Sequence, residues 1–351
     1  MVEYKGINQM NEHVSNEKPL ITFALFAYNQ EKYIREAVEG ALAQTYSPLQ
    51  IILSDDCSSD RTFEIMSEMV VEYSGPHEVL LNRNEKNRGI GGHINTVMKI
   101  SKGELCVVAA GDDISIPERV GVIVDSWLVT NKKAMSLHSA YTEIDMDGNS
   151  IRLTQNRNAK EFTSISKCIS ENIGVTGATH AWAKVNFDVF GPLRDDLTHE
   201  DCAIPLRSML LGRVEYIDIP LVKYRVNIGI SNVLFNDIND ELHGKGAVAA
   251  ERYYIDYLQK MQDLTTFGVD KILIRLCSRQ LKKLTLIKSL AKTEAPKLQL
   301  LFQAISGGVS IWFAATRTLK YALPSLITLQ RYLISKARRV TQLFKPKLTC
   351  K

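Results

Sequence analysis

Three pairs of neighbouring acidic residues are the part of this sequence best suited to chemistry. Each follows an apolar run or borders a polar turn; the pairs are Asp55-Asp56, Asp112-Asp113 and Glu200-Asp201. Carboxylates held close together raise each other's pKa, so their assembly is unfavourable unless a cation or a proton-transfer role compensates. At the strand ends of one sheet, the three pairs would converge on one cleft. A cleft that holds a metal, a diphosphate and a general base is what sugar transfer from a nucleotide donor requires.

The elements that must position these carboxylates alternate in type from residue 19 onward. Apolar runs typical of buried strands cover 19–26, 49–54, 79–81 and 105–110, and segments with helical spacing cover 31–46, 61–73 and 94–101. This alternation predicts the α/β class, with a doubly wound, mostly parallel sheet flanked by helices. Ligands of such sheets bind beyond the carboxyl ends of the strands, and the first two acidic pairs follow strands there.

Six short strings of sequence occur in a distinctive order. They are 26–34 (FAYNQEKYI), 43–46 (AQTY), 53–62 (LSDDCSSDRT), 87–89 (NRG), 102–104 (KGE) and 111–113 (GDD). Together they make residues 19–232 resemble glycosyltransferase family 2, the large inverting group with the GT-A fold, in its bacterial polysaccharide type. The resemblance implies a catalytic domain over 19–235, with a nucleotide-sugar half over 19–115 and an acceptor half over 116–235. A polar lead-in over 1–18 precedes it, and a helical, basic C-terminal extension over 236–351 follows it.

The resemblance implies that a nucleotide-sugar donor binds around the first acidic pair. Asp55 takes the position that recognises the base, because a carboxylate accepts the imide N–H of uracil or thymine, with guanine as the open alternative. Asp56 is its neighbour in the site. Ala27, Tyr28 and Asn29 would line the pocket, with Tyr28 available for stacking. An alternative for Asp56 is a cap and turn cluster with the serines that follow it.

The resemblance also implies a divalent metal, Mg²⁺ or Mn²⁺, held by Asp112 and Asp113, with Asp112 also part of the nucleotide-sugar site. The family's common DxD motif has Ala110 at its first position here, and Asn227 stands where the family often has a histidine. Asn227 is therefore the predicted third metal contact, through an amide oxygen that binds metals more weakly than imidazole. Arg225 is assigned to the diphosphate, or alternatively to a pair with an acidic neighbour.

The third acidic pair resembles the family's Glu-Asp segment, whose aspartate is the catalytic base. Asp201 would take the proton of the acceptor hydroxyl during a single displacement that inverts the anomeric carbon. Glu200 would orient Asp201 or bind the acceptor. The other acceptor-site candidates are ring side chains for which a loop position or core packing is the alternative; they are His180, Trp182 and His199.

Charge is distributed unevenly along the chain. No Asp or Glu follows Glu294, and ten Lys and Arg residues give this tail +10, so residues 1–294 carry −6 within a net charge of +4. A basic tail with long apolar runs predicts docking on a membrane surface. A soluble helical appendage, an oligomer contact and a membrane span are the alternatives. Nucleic acid is not an expected partner, because no recognised motif accompanies the charge.

These patterns together predict an inverting glycosyltransferase. Its donor is expected to be a UDP- or dTDP-sugar, and its acceptor a hydroxyl of a growing, lipid-linked cell-surface glycan. The polar start of the sequence resembles neither a signal nor a transit peptide, and six unpatterned cysteines fit reduced thiols. The predicted location is therefore cytoplasmic, peripheral on the cytoplasmic face of the inner membrane. The alternative is a catalytically degenerate GT-A protein that binds nucleotides or acts as a scaffold, which Ala110 and Asn227 keep open.

Overall fold

The strands that precede the acidic pairs lie in one sheet. The computed structural model describes residues 18–155, 162–226, 245–292 and 296–322. Its strands are β1 (Ile21–Ala27), β2 (Leu49–Asp55), β3 (Glu78–Arg83), β4 (Leu105–Ala110), β5 (Ile114–Ser115), β6 (Ala134–Ile144), β7 (Ser150–Thr154), β8 (Ala181–Ala183) and β9 (Arg213–Arg225). Its helices are α1 (Ile34–Leu42), α2 (Thr62–Glu72), α3 (Gly89–Ile100), α4 (Arg119–Val129), α5 (Ile165–Ser170), α6 (Val185–Phe190), α7 (Glu200–Leu211), α8 (Lys245–Phe267), α9 (Lys271–Lys292), α10 (Lys297–Ser306) and α11 (Ile311–Ala322).

The sheet has a parallel half and a mixed half. Its strand order is β3-β2-β1-β4-β8-β6-β9-β5, and β7 pairs with β6. Strands β1 to β4 pair in parallel, whereas β8 runs antiparallel to both β4 and β6. Strands β6 and β9 are parallel again, and β5 is antiparallel to β9. The strands and helices predicted before residue 111 are present, although their ends differ by a few residues from the prediction. The strands of the mixed half come from the sequence after residue 111.

The register of the parallel half brings the first two acidic pairs to the same edge. Ala27 at the end of β1 pairs with Asp55, and Phe26 pairs with Ala110, two residues before Asp112. Neighbouring strands lie about 4.8 Å apart, so the turns after β2 and β4 flank the end of β1. This edge is where a parallel sheet places its ligand.

Helices cover both faces of the parallel half, which explains why its strands β1, β2 and β4 are mainly apolar. Phe23 and Leu25 of β1 pack in one cluster with residues of α1, α2 and α4. Ala24 points to the other face and packs in a second cluster with residues of α3 and α7. Full burial of one such aliphatic or aromatic side chain stabilises the fold by roughly 1.5–3 kcal/mol. The sheet is therefore fixed from both sides, and its carboxyl edge is held rigidly.

The first helix of the predicted extension packs on the same body. Tyr257 and Leu264 of α8 share a core cluster with Leu206 of α7. Deeper along the same contact, Arg207 donates two hydrogen bonds to Asp263, at 3.0 and 2.9 Å, and both side chains are fully buried. The boundary predicted at residue 235 lies outside the described residues and stays a prediction. Helix α8 itself is joined to α7, which begins with the third acidic pair.

The last two described helices expose apolar side chains. Leu298 and Phe302 of α10 and Ile311 and Trp312 of α11 are each about two thirds or more exposed. Beneath them, a small cluster that includes Leu286, Val309 and Ala314 joins α10 and α11 to α9. No helix within the described ranges has both the length and the apolar character needed to cross a membrane.

Candidate active site

The loops after β1 and β2 are tied to each other around Asp55. The Asp55 carboxylate is fully buried and accepts hydrogen bonds from the Ser58 hydroxyl and, at 2.9 Å, from the Ser58 backbone N–H. Arg83 approaches it to 3.4 Å from β3. The fold therefore uses Asp55 to shape the loop, and a contact between Asp55 and a nucleotide base stays a prediction.

Asp56 closes the start of α3. Its two carboxylate oxygens accept hydrogen bonds from the Asn84 side chain at 2.7 Å, from the Arg88 N–H at 2.9 Å and from the Gly89 N–H at 3.0 Å. Gly89 has a φ of +66°, a conformation that glycine adopts without steric penalty. The structure shows Asp56 as an acceptor for the start of α3 rather than for the serines that follow it, and its assignment to the nucleotide-sugar site stays a prediction.

The three residues predicted to line the base pocket differ in what they offer. Tyr28 is 44% exposed at the sheet edge, so its ring is available to a ligand. Asn29 has a positive φ, and its side-chain oxygen accepts from the Ser59 N–H at 2.8 Å. Ala27 is buried and contributes through its backbone, whose carbonyl accepts from the Asp56 N–H at 2.9 Å. A contact of any of them with a nucleotide stays a prediction.

The Asp112-Asp113 turn is held from outside by Arg225 of β9. The Arg225 backbone N–H donates to Asp113 at 2.8 Å, and its guanidinium donates to the Asp112 carbonyl at 3.0 Å. The same guanidinium donates to the carbonyls of Asp145 and Met146 and pairs with Glu36. Arg225 is almost fully buried, and these contacts use its donors. The alternative, a pair with an acidic neighbour, is present through Glu36, and the assignment of Arg225 to the diphosphate stays a prediction.

The two carboxyl groups of this turn lie in a setting that disfavours their charge. Burial raises the pKa of Asp112, against a hydrogen bond from Gln30. Burial and the neighbouring Asp112 charge raise the pKa of Asp113 well above its ordinary value, although Arg225 and Arg119 oppose this. A bound cation would favour the ionised forms, and Mg²⁺ and Mn²⁺ prefer such oxygen ligands.

Within the described ranges, no group of three or more His, Cys, Asp or Glu side chains lies together as a metal site. Asn227, the predicted third contact, lies outside those ranges. A Mg²⁺ ion at a diphosphate usually takes only one or two carboxylates and completes its shell with waters and phosphate oxygens. The pair Asp112 and Asp113 therefore fits a divalent ion that binds together with a nucleotide.

Glu200 and Asp201 form the first turn of α7. Asp201 Oδ1 is buried and has no hydrogen-bond partner among the residues that the structure describes. Burial raises the pKa of Asp201 to about 6, with the charge of His199 acting in the opposite direction. Burial and the charge of Asp201 raise the pKa of Glu200 to about 8. At neutral pH the pair thus consists of an ionised aspartate beside a protonated glutamate, an arrangement suited to general-base chemistry.

A short loop packs against Glu200 of this pair and is hydrogen-bonded to Arg119, whose charge acts on Asp113. Gly177, at the start of a single turn of 3₁₀ helix (Gly177–Thr179), lies so close to Glu200 that an added Cβ would come within 2.9 Å of the Glu200 carboxyl oxygen. Buried Arg119, whose charge acts on Asp113, donates to the carbonyl of Ala178 at 2.9 Å and to that of Val108 at 2.6 Å. The second and third acidic pairs are therefore linked through one buried guanidinium and one tight loop.

His180 and Trp182 follow that loop but do not face a cleft. Both are fully buried, and their rings lie 5.1 Å apart, edge to face. The Trp182 N–H donates to the sulfur of Met98 at 3.4 Å, and His180 Nε2 lies 2.9 Å from the Ser136 hydroxyl. Their assignment to the acceptor site is wrong and core packing is the alternative found, because Trp182 lies in β8, a central strand of the sheet, and His180 is buried directly before it.

His199 is held by a residue that the sequence did not indicate. Its Nδ1 lies 2.7 Å from the Asp256 carboxylate of α8, and the ring of Tyr253 stacks on it. The exposed-loop alternative for His199 is thus excluded, while a contact with an acceptor stays a prediction. Gln30 and Arg119 also escaped notice, although Gln30 lies inside the first of the six strings and could have been found there.

Comparison with known proteins agrees with this geometry. Residues 22–190 match the sequence profile described as glycosyl transferase family 2. Chondroitin synthase of Escherichia coli is 34% identical over 151 residues, which cover 42% of this chain and 21% of the relative. An uncharacterized glycosyltransferase of Rickettsia typhi is 26% identical over 212 residues, which cover 60% of this chain and 64% of the relative. The chain thus spans less than two thirds of the length of both of these curated relatives.

Among solved structures, a mannosyltransferase from Pyrobaculum calidifontis, in complex with GDP-Man and Mn²⁺, has a TM-score of 0.51 and 14% identity over 88% of each chain. At that identity the likeness bears on the fold alone, and it confirms the GT-A architecture. Residues 22–190 therefore match family 2 glycosyltransferases, and the chain has the GT-A fold. The predicted family, fold and enzyme class, glycosyltransferase, are confirmed.

Proposed function

We propose that the chain transfers a sugar from a nucleoside-diphosphate sugar to a hydroxyl of a growing cell-surface glycan, with inversion at the anomeric carbon. The observation that carries this proposal is the unpartnered, buried Oδ1 of Asp201, on a carboxyl group whose pKa is about 6. A buried oxygen without a partner is unfavourable in a resting protein, and an incoming hydroxyl would satisfy it. The name of the Escherichia coli relative, a chondroitin synthase, supports a glycan as the acceptor.

The proposed reaction is a single displacement. Asp201 accepts the proton of the acceptor hydroxyl as its oxygen attacks the anomeric carbon from the face opposite the leaving diphosphate. The bond from the anomeric carbon to the diphosphate breaks as the new glycosidic bond forms, and the configuration inverts. Glu200, protonated at neutral pH because its pKa is about 8, donates a hydrogen bond that orients the acceptor or Asp201.

Donor binding is proposed at the carboxyl edge of β1, β2 and β4. Tyr28 would stack on the base, with Asp55 as the partner of a uracil or thymine imide, which favours a UDP- or dTDP-sugar. Asp112 and Asp113 would hold Mg²⁺ or Mn²⁺. When bound, such an ion neutralises charge that develops on the leaving diphosphate. The GDP-Man bound to the Pyrobaculum mannosyltransferase keeps GDP within the donors to be tested.

A thermal-shift titration tests the donor site. UDP, dTDP and GDP are added with and without Mn²⁺ to the wild type and to Asp113→Asn, which keeps an acceptor for the Arg225 N–H. We expect one nucleotide to raise the melting temperature in a Mn²⁺-dependent way, and the variant to lose that rise. Glu72→Gln, an exposed change on α2, is the matched control and should behave as wild type. No response to any nucleotide in any metal would overturn the proposal.

We also propose that the protein docks on the cytoplasmic face of the inner membrane, which would bring the cleft to a lipid-linked acceptor. The support is the pattern of α10 and α11, where exposed Phe302 and Trp312 accompany a segment that has no acidic residue after Glu294. An apolar surface with basic surroundings is complementary to anionic lipid. Oligomer contact through the same surface is the competing outcome.

Vesicle co-sedimentation separates these outcomes. Vesicles with and without phosphatidylglycerol are mixed with the wild type and with a Phe302→Ser/Trp312→Ser variant. We expect binding to anionic vesicles alone, with a loss of roughly tenfold in the variant, since each ring buries apolar area in the interface. Val129→Ser, an equally exposed apolar change on α4, should bind as wild type. Equal binding by all proteins, or a mass change in solution without vesicle binding, would contradict docking.

The competing function is a GT-A protein that binds nucleotides without catalysis. The internal hydrogen bonds of Asp56 and Arg225 favour it, because they remove two predicted ligands from the cleft. A nucleotide response without any sugar transfer, across UDP-, dTDP- and GDP-sugars and glycan acceptors, would establish it.

A further inference from the structure

The residue before the catalytic segment is fixed by the C-terminal extension. His199 immediately precedes α7, and its Nδ1 lies 2.7 Å from Oδ2 of Asp256, 57 residues further along the chain. Tyr253, one turn earlier on α8, stacks on the imidazole with ring centroids 5.3 Å apart and planes inclined by 16°. One bond and one ring contact thus hold both the position and the tilt of this imidazole.

Asp256 is itself an unusual group. Its side chain is fully buried, and Oδ1 has no hydrogen-bond partner within the described ranges. Lys260, a cation one turn further along the same helix whose charge acts on Asp256, donates to Asn172 and to the carbonyl of Cys168. A buried carboxylate is unfavourable unless a positive group compensates it, and a protonated His199 is the group that contacts it directly.

Ionisable groups of two helices surround the pair formed by His199 and Asp256. Those on α7 are Glu200, Asp201 and Cys202, and those on α8 are Tyr253 and Lys260. Burial works against protonation of His199, yet the hydrogen bond and charge of Asp256, with the charges of Asp201 and Glu200, raise its pKa above the ordinary value. The charge of His199 in turn opposes the rise that burial imposes on the pKa of Asp201.

We propose that Asp256 is a positioning residue that holds His199 beside Asp201, so that helix α8 completes the catalytic site. The inference rests on the proposed role of Asp201 as the base. Through the held imidazole, Asp256 keeps a positive charge next to a carboxylate that must be ionised to accept a proton. Neither residue needs to touch the sugar for this effect, since it acts through charge at short range.

Asp256→Asn tests the pair with little change in shape, because the amide oxygen still accepts from Nδ1–H. We expect the His199 imidazole, followed by NMR of histidine-labelled protein and assigned with His199→Gln, to titrate at lower pH in the variant than in wild type. The charge of Asp256 itself raises the pKa of Asp201, whereas the charge of His199 lowers it, so the two effects oppose each other in this variant and the acidic limb of kcat is read in His199→Gln instead. In His199→Gln that limb should move to higher pH, and transfer at pH 6 should fall roughly two- to fivefold more than at pH 8, the factor that a rise of half to one pKa unit produces from a pKa of about 6.

Asp263→Asn is the matched control, since Asp263 is also a buried carboxylate of α8 but pairs with Arg207. It should lower thermal stability without moving the titration of His199 or the acidic limb. His199→Gln removes the positive charge and leaves the charge of Asp256, so it should move the acidic limb to higher pH. An unchanged His199 titration in Asp256→Asn would overturn the inference whatever the activity. A wild type that transfers no sugar would instead defeat the proposed function, while the NMR result would still decide the pairing.

Discussion

The first and third acidic pairs are similar in sequence, yet the fold treats them in opposite ways. The oxygens of Asp55 and Asp56 accept hydrogen bonds from their own loops and from the start of α3. Asp201, by contrast, keeps a buried oxygen without a partner and a pKa raised to about 6. A satisfied carboxylate stabilises structure, whereas an unsatisfied one is retained at the expense of stability and points to function. Neighbouring acids in a sequence therefore need not share a role.

The strongest contrast to Asp201 is Asp263, a buried carboxylate with a full partner. Asp263→Ala leaves Arg207 buried and without its counter-ion, and we expect a loss of about 3–5 kcal/mol in the free energy of unfolding. Urea denaturation measures it. Replacing both residues, as Arg207→Met/Asp263→Leu, should destabilise less than the single change. A single variant as stable as wild type would show that this pair does not hold α8 in place.

Asp56→Ala should be the next largest effect. Three donors, the Asn84 side chain and the N–H groups of Arg88 and Gly89, lose their acceptor. Because buried donors without partners are unfavourable, we expect a loss of about 2–4 kcal/mol in unfolding free energy. Glu72→Ala, an exposed change on α2, should stay within about 0.5 kcal/mol of wild type in the same denaturation assay. Equal stability of the two variants would remove the contrast between the first and third pairs.

The dependence of kcat on pH should report the ionisation of both members of the third pair, Asp201 and Glu200. The ionised form of Asp201 is required, so kcat should fall about tenfold per pH unit below its pKa of about 6. Above the Glu200 pKa of about 8, loss of the proton that Glu200 donates should lower kcat again. A bell-shaped profile with these limbs is expected, and the limbs belong to the coupled pair. A flat profile between pH 5 and 7 would contradict the assignment of Asp201.

The last predicted effect is a gain in stability. Because the pKa of Asp201 is higher in the folded than in the unfolded state, the wild type loses stability as pH rises from about 4 to about 6. Asp201→Asn removes this loss, so the variant should be more stable by up to about 3 kcal/mol at pH 7, the equivalent of about two pKa units, and nearly equal near pH 4. Thermal unfolding at the two pH values measures it. A variant less stable than wild type at pH 7 would mean that the carboxylate has a stabilising partner.

The parallel half of the fold was predictable because its strands β1, β2 and β4 are buried on both faces and are mainly apolar in sequence. The later half was not, since β5 and β8 have only two and three residues, too few for any periodicity. Because β8 has only three residues, the sequence around Trp182 resembles a loop, and its position in a central strand could not be predicted. Glycines, polar turns and acidic pairs indicated where the candidate site lies in the sequence but did not show which side chains face inward.

Partners within the site were harder to predict than its members. Asp113 is held by a backbone N–H of Arg225, and a backbone donor leaves no mark in a sequence. Asp256 meets His199 across 57 residues, on a helix whose amphipathic pattern carries no sign of the contact. Long-range pairs of this kind depend on how helices pack, and that is decided by the apolar cluster of α5, α7 and α8 rather than by the charged residues themselves.

The most direct test of the account compares binding and transfer in Asp201→Asn. Nucleotide binding in the presence of Mn²⁺ and the rate of sugar transfer are measured on the same preparations of variant and wild type. We predict nucleotide affinity within about twofold of wild type and a transfer rate lower by roughly 10²–10⁴-fold, the range that a lost general base produces. A transfer rate within tenfold of wild type would contradict the assignment of Asp201 as the base.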